Sequence, residues 1–531
     1  MSDSWAISSL DLHLDLVGPR VRASLESALR DAVRGGRLRP GARLPASRAL
    51  ATDLGIARNT VADCYAQLVA EGWLSARQGS GTWVAERAPS PPPGAGGPAR
   101  AAARRVRYDL RTGVPDVTAF PRQAWLAAGR KALGAAPAQA LSYTDPRGLP
   151  QLREALAGYL ARARGVAVTP DRVVVCAGFA QGLELVCEAL RARGATTLAA
   201  EALGYPRHWR IAEKSGLSVT AVPVDESGAV VAGLGPADAL LLTPTHQFPL
   251  GVPLAPARRR QAADWASSAG AVIVEDDYDG ELRYDRPAVG ALQALAPEHV
   301  VYAGTASKSL APGLRLGWLV VPARLVDDVV AVKDTAGRLS SSLDQLTLAE
   351  FLTSGAYDRQ VRRVRLAYRR RRDRLVAAVR AAAPQVRVTG IAAGLHALLR
   401  LPPGQDEDAL VARAARHGLA IEGLNAYRLG GGPGQGGGAG RGERPGRGNG
   451  AGQSGAGADG GENGKGAGAG GGGDGKAVGA DGGEDGKGGG AGGGWAAQEG
   501  GPALVVGYAT PPGHAYSTAV ARLCAVLTAD N

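Results

Sequence analysis

The chain has 531 residues, 61 Lys+Arg against 49 Asp+Glu, and a formal net charge of +12. That length exceeds what one hydrophobic core usually organises, so at least two domains are expected. A 45% apolar composition with mean hydropathy of −0.08 and no long apolar span argues against a membrane protein. The opening MSDSWAISSLDLHLDL puts acids early and lacks a basic stretch before an apolar run, so no secretory signal is read and a cytoplasmic location is expected. Cys64, Cys176, Cys187 and Cys524 show no CxxC spacing, which argues against a zinc site or a disulfide framework. The positive charge permits nucleic-acid binding. Yet the first ninety residues are only slightly basic, about +2, so that case has to come from motif geometry.

From Arg20 to about Val33, Val21, Leu25, Ala28, Leu29 and Val33 fall at helical spacing, and Gly35-Gly36 ends the run. Ser47 is expected to cap a second helix through Leu54, Gly55 makes the turn, and Arg58 or Asn59 opens a third helix to about Glu71. Trp73-Leu74 and the stretch Arg77 to Val84 read as two strands joined by a Gly turn. Domain 1 is placed at 1–87. The stretch 88–107, APSPPPGAGGPARAAARRVR, reads as a Pro/Gly linker with a basic end.

From Tyr108 onward, strand-like runs (Val173–Val175, Leu240–Leu242, Val272–Val274, Val300–Tyr302, Trp318–Val321) alternate with helical stretches, as in an α/β domain with a largely parallel sheet. Functional residues in such folds gather at strand ends. In chain order, the segments there are Tyr143 to Gly148, the Gly-rich turn Cys176 to Gly182, Glu201 to Pro206, Thr243 to Gly251, the acidic run Glu275 to Glu281, and Tyr302 to Gly317 with Lys308 and Arg315. The Gly-rich turn opens a helix whose first N–H groups, at Phe179 and Ala180, can bind an anion. Five carboxylates between Glu275 and Glu281 leave a divalent-metal site open as an alternative. From about 429 to 501 the chain is dominated by Gly with scattered charge, and is expected to be a disordered insertion. Strand-like sequence resumes at Ala503-Leu504-Val505-Val506. The domain of 108–531 is thus expected to have a large subdomain to about 335 and a small α+β subdomain after it.

Two resemblances fit these motifs. GRLRPGARLPASRALATDLGIARNTVADCYAQLVAEGWLSARQGSGTWVA resembles the winged helix-turn-helix of the GntR regulators. That resemblance implies DNA contacts from Arg48, Arg58, Asn59 and Thr60 and places Gly79 and Gly81 against phosphates; capping and turn chemistry are the alternative roles. Alanines at 46 and 57 stand where the family usually has serines. The body resembles the fold-type I aminotransferase-like enzymes that bind pyridoxal 5'-phosphate (PLP). The resemblance implies that Lys308 forms the Schiff base, Asp276 meets the pyridine nitrogen, Tyr278 meets the phenolate oxygen, and Tyr205 stacks on the ring. It also gives the phosphate to Arg315, Thr305, Ser307, the Phe179-Ala180 turn and, from a partner subunit, Tyr143, which implies a homodimer. Asp277 is the other alignment choice for the nitrogen partner. Head and body together resemble the MocR subgroup of GntR regulators.

Two departures bear on activity. Phe248 replaces an asparagine usual in aminotransferases, and Ala503 to Tyr508 lacks their carboxylate-binding arginine, leaving Arg207 and Arg428 as effector-binding candidates. The expectation is a PLP-dependent regulator that binds a duplex DNA operator and senses an amine, an amino acid or PLP itself. An aminotransferase with an accessory DNA-binding head, completing at least a half-reaction, is the alternative.

Overall fold

In the computed structural model, which describes residues 21–77, 81–86, 107–284, 289–430 and 501–529, the apolar spacing of the first segment closes into a three-helix head. Its helices are α1 (Val21–Arg34), α2 (Ser47–Leu54) and α3 (Arg58–Ala70), followed by the antiparallel wing strands β1 (Leu74–Arg77) and β2 (Gly81–Val84). Leu25, Leu29, Leu50, Val61, Leu68, Leu74 and Val84 form its core. Ser47 does not cap α2 as expected. It is the helix's first residue, and the cap position falls to Ala46, which has no side-chain acceptor. Ala57 likewise precedes α3 with no side-chain cap. The 87–106 stretch and Gly79 lie outside the described residues.

The chain divides into two units, Met1–Ala103 and Arg104–Asn531. The second is built on a seven-stranded sheet. In chain order its strands are β3 (Val173–Cys176), β4 (Thr197–Glu201), β5 (Ser218–Val222), β6 (Ala239–Leu242), β7 (Val272–Asp276), β8 (Val300–Thr305) and β9 (Gly317–Val320). Their spatial order is β3-β9-β8-β7-β6-β4-β5. All pairs are parallel except the two made by β9. Parallel strands covered on both faces read as continuous apolar runs, and β3 and β6 are buried at every position. Because β4, β6, β7 and β8 run parallel, their carboxyl ends, Glu201, Leu242, Asp276 and Thr305, gather at one edge.

A smaller antiparallel sheet follows, with β10 (Arg387–Thr389), β11 (His396–Arg400), β12 (Glu422–Gly423) and β13 (Ala503–Gly507) in the order β10-β11-β13-β12. Strands β12 and β13 flank the 431–500 segment, which lies outside the described residues, and they pair Glu422 with Val505 and Gly423 with Leu504. The buried Glu407 carboxylate bridges them, accepting from the N–H groups of Asn425 (2.8 Å) and Ala503 (3.1 Å). Leu429, taken into the insertion by its composition, belongs to the fold: its N–H donates to Ala202 O at 2.9 Å. Since the two edges are joined by this pairing, deletion of 431–500 is expected to leave the thermal midpoint of the body within about 4 °C of the parent, measured by calorimetry.

Candidate functional site

The edge where the parallel strands end opens into a cavity of about 290 Å³. Asp276, Tyr278, Thr305, Ser307, Lys308, Arg315, Phe179 and Tyr205 all line it, bringing together residues up to 136 positions apart in sequence. Ala180 is the next residue on the helix that Phe179 opens, α6 (Phe179–Ala192). Gly178 precedes that helix with φ of +94°, and a Cβ on Gly317 would lie 2.7 Å from the Gly178 Cα. The two glycines therefore let the turn sit directly against β9. Arg315 itself adopts the left-handed region, φ 52°, a conformation that costs about 1–3 kcal/mol for a non-glycine residue and clusters at functional sites. Its guanidinium has no hydrogen-bond or ion-pair partner among the described residues, and its Nη1 faces the Gly178 turn.

Each member of the acidic run has a different environment. Glu275 accepts from the backbone N–H groups of Leu292 (2.8 Å) and Gln293 (2.9 Å). Asp277 is tied to Arg164 Nε at 2.7 Å and receives the Tyr302 hydroxyl at 2.8 Å. Asp279 Oδ2 lies 2.8 Å from His246 Nδ1, and Glu281 accepts from Tyr159 and Tyr357. Of these carboxylates Asp276 alone lines the cavity, and its buried Oδ1 has no partner among the described residues. Desolvation, opposed by the nearby Lys308, pushes its carboxyl well above the usual range. The Lys308 amine is held below its usual pKa by desolvation, against the attraction of Asp276 and Asp279, and its Nζ donates to Gly113 O at 2.5 Å.

Several residues that sequence reasoning did not single out share this space. His208 and His396 line the cavity, and burial lowers both to about 3, so they are neutral. The Tyr278 hydroxyl donates to His246 O at 3.1 Å and lies 3.0 Å from His246 Nδ1. A Cβ on Gly394 would fall 2.3 Å from Asp279 Oδ2, so this ring cluster requires glycine there. His246 sits within the strand-end segment Thr243 to Gly251, which is the available signal; His396 carries none. Phe248 lines the cavity and packs edge-on against Tyr427 at 5.0 Å.

Three expected site residues are not brought together with the rest. Arg207 and Arg428 do not line the cavity. Arg207 is exposed on the helix Pro206–Lys214, and the Arg428 Nε turns back to Asn425 Oδ1 at 3.1 Å. Tyr143 is 98% exposed. On the head, Arg48, Arg58, Asn59 and Gly81 are exposed, and Thr60 is half-buried at the start of α3.

Arg164 and Asp277 are both buried, so removing one partner leaves an uncompensated charge. Arg164→Ala is expected to destabilise the body by about 3–5 kcal/mol in urea unfolding, with the Arg164→Ala/Asp277→Ala pair recovering part of the loss. Glu201, buried at the cavity wall, accepts from the Thr243 hydroxyl at 2.6 Å, and desolvation raises its carboxyl from 4.5 to about 7. A carboxyl that keeps its proton longer in the fold stabilises fully below about 4.5 and loses that contribution as pH rises to about 7. Glu201→Gln should therefore unfold at a midpoint that gains on the parent between pH 4.5 and 7; parallel curves would refute this.

The profile for aminotransferases of class I and II matches residues 108–435, and that for bacterial regulatory proteins of the gntR family matches 22–84. The chain is similar to the HTH-type pyridoxine biosynthesis transcriptional regulator PdxR of Corynebacterium glutamicum, with 34% identity over 77% of this chain and 88% of the relative. It is also similar to the HTH-type transcriptional regulator TauR of Rhodobacter capsulatus, with 36% identity over 76% of this chain and 90% of the relative. A kynurenine aminotransferase of Pyrococcus horikoshii shares the fold, with a TM-score of 0.60 at 20% identity over 80% of this chain and 91% of that one. A gntR-type head joined to an aminotransferase body over the span shared with named regulators places this chain in the MocR subgroup of helix-turn-helix transcriptional regulators.

Proposed function

We propose that this regulator holds pyridoxal 5'-phosphate in the body's cavity, binds a duplex operator through α3 and the wing, and responds to an amine, an amino acid or PLP itself entering that cavity. The observation that carries this reading is the buried, unpartnered Asp276 Oδ1 in the same cavity as the Lys308 amine. An acceptor without a donor in a dry site is costly, and a pyridinium N–H is a donor that fits it. When bound, pyridoxal phosphate supplies an aldehyde that condenses with amines and a ring that accepts electron density from a carbanion.

The chain's own groups are arranged for such a ligand. Lys308 offers an amine whose lowered pKa raises its unprotonated, nucleophilic fraction. Arg315, the hydroxyls of Thr305 and Ser307, and the N–H groups opening α6 at Phe179 and Ala180 offer donors to phosphate oxygens. Tyr278, whose hydroxyl donates to His246 O, and the half-exposed Tyr205 both line the cavity. Asp276 would hold the ring nitrogen's proton, and Asp277, committed to Arg164, is the weaker assignment.

The neutral His208 and His396, and the absence of Arg207 and Arg428 from the lining, leave Lys308 and Arg315 as the cations among the described lining residues. Among the described lining residues, no arginine besides Arg315 is present to grip a substrate carboxylate, which supports sensing over efficient amino-group turnover. The bare Tyr143 ring supports a homodimer in which it reaches the partner's cavity. We place the DNA-binding head at 1–87, the linker at 88–107, and the protein in the cytoplasm; no described helix is long and apolar enough to cross a membrane.

The purified protein, footprinted on its flanking intergenic DNA with and without added amines, tests this directly. Lys308→Ala is expected to lose the visible absorption that appears on adding pyridoxal phosphate, and to keep DNA binding while losing the ligand response. A parent that protects no sequence in this DNA would overturn the regulator reading.

A further inference from the structure

The longest helix of the body, α11 (Ala356–Ala382), buries Val361, Val364, Tyr368, Leu375 and Val379 and turns a basic face to solvent. Arg359, Arg362, Arg363, Arg369, Arg370, Arg374 and Arg380 are all exposed. At 100° per residue they fall in one sector of the helix. Between Arg359 and Arg380 the axis advances about 32 Å at about 1.5 Å per residue, close to the roughly 34 Å of one turn of duplex DNA.

This face is not internally neutralised. Among the described residues, Arg369 alone of these seven has a carboxylate within reach, Asp373 at 4.0 Å, with both side chains about 60% exposed (60% and 62%). Such a surface pair is worth little. Arg359 donates to Ser354 O, Arg363 to Ala119 O and Arg374 to Ser517 Oγ. Those neutral partners hold the side chains in place and leave their charge intact. Arg362, Arg370 and Arg380 have no partner among the described residues. The other arginines of α11 have structural work: Arg371 pairs with Asp116 and donates to the carbonyls of Ala509 and Pro511, Arg372 donates to Gly390 O, and Arg365 donates to Glu281 O. Two classes of arginine thus share one helix, an inner set tied to the fold and an outer set aligned in the open.

We propose that the outer face of α11 is a second DNA-contacting surface, on the sensor unit, which grips the phosphates of duplex flanking the operator without reading its bases. Arginine's planar fork suits phosphate oxygens, and an array about one duplex turn long lets several side chains meet phosphates together. Each contact releases condensed counterions, so affinity becomes steeply salt-dependent. Base discrimination stays with the head.

The proposal rests on operator binding by the head, and the test separates the two. Full-length parent and the variant R362Q/R369Q/R370Q/R380Q, whose four side chains have no hydrogen bond or ion pair outside α11 among the described residues, are titrated with a long duplex carrying the footprinted operator, and with the operator alone, over a series of salt concentrations. For the long duplex, the slope of log affinity against log salt is expected to fall by about 3 to 4, at about 0.9 per phosphate contact, with at least a tenfold loss of affinity near 0.15 M salt. On the minimal operator the variant is expected to match the parent, and its thermal midpoint and oligomeric state to be unchanged. An unchanged slope on the long duplex overturns the proposal and leaves the head's role standing. So does a loss that tracks a change in oligomeric state, because the face would then be a subunit interface. A parent that binds neither duplex specifically fails the regulator reading itself.

Discussion

The organisation of the cavity depends on how the chain disposes of Asp277. Two consecutive carboxylates at the end of a buried strand cannot both stand in a low-dielectric cavity, because their repulsion and desolvation would favour protonation of at least one. Arg164 and the Tyr302 hydroxyl take Asp277 out of that competition, and the Leu292 and Gln293 N–H groups take Glu275. The alternation of a strand then leaves Asp276 facing the cavity with an unsatisfied oxygen. The tyrosine at position 278 is in turn placed by His246, itself aligned by Asp279. One run of acids thus supplies a structural ion pair, a backbone clamp, a histidine orienter and the cavity's free acceptor.

Burial sets the protonation states around that acceptor. Lys308, His208 and His396 lose proton affinity, while Asp276 and Glu201 gain it, each because the charged form is the one that desolvation penalises. Lys308 and Arg315, the latter beside the Gly178 turn, are the basic side chains among the described lining residues. Such a site has electrostatic freedom to respond to a ligand that brings its own ring nitrogen and phosphate. The outer face of α11 is the opposite case: its guanidinium groups are exposed to solvent, and their effect reaches across it to a polyanion, subject to screening over about 8–10 Å at ordinary salt.

Much of the architecture was legible before any coordinates. The head's helices begin and end within a residue or so of their expected limits, since apolar spacing and the glycines at 35, 36, 55 and 72 are local signals. Ser47 misled because a serine at a helix start is a common cap, whereas here the chain enters through Ala46, one residue earlier. Arg207, close behind Tyr205, and Arg428 are the candidates left once the final strand lacks an arginine, and neither lines the cavity, because side-chain direction depends on the helix face and on a local bond to Asn425.

By itself the sequence determined the two-unit plan, the helix-turn-helix, the Gly-rich turn at Gly178, and the spacing from Lys308 to Arg315 at the end of a strand. Each of these is written in residues a few positions apart, where backbone preference and periodicity act directly. Only the tertiary structure decided that Asp276 and not Asp277 faces the cavity, that His208 and His396 line it with His246 behind Tyr278, and that the arginines of α11 divide into an inner and an outer set. Those outcomes depend on partners such as Arg164, Gly394 and Asp116, more than a hundred residues away, and on which groups burial strips of water, neither of which a local pattern encodes.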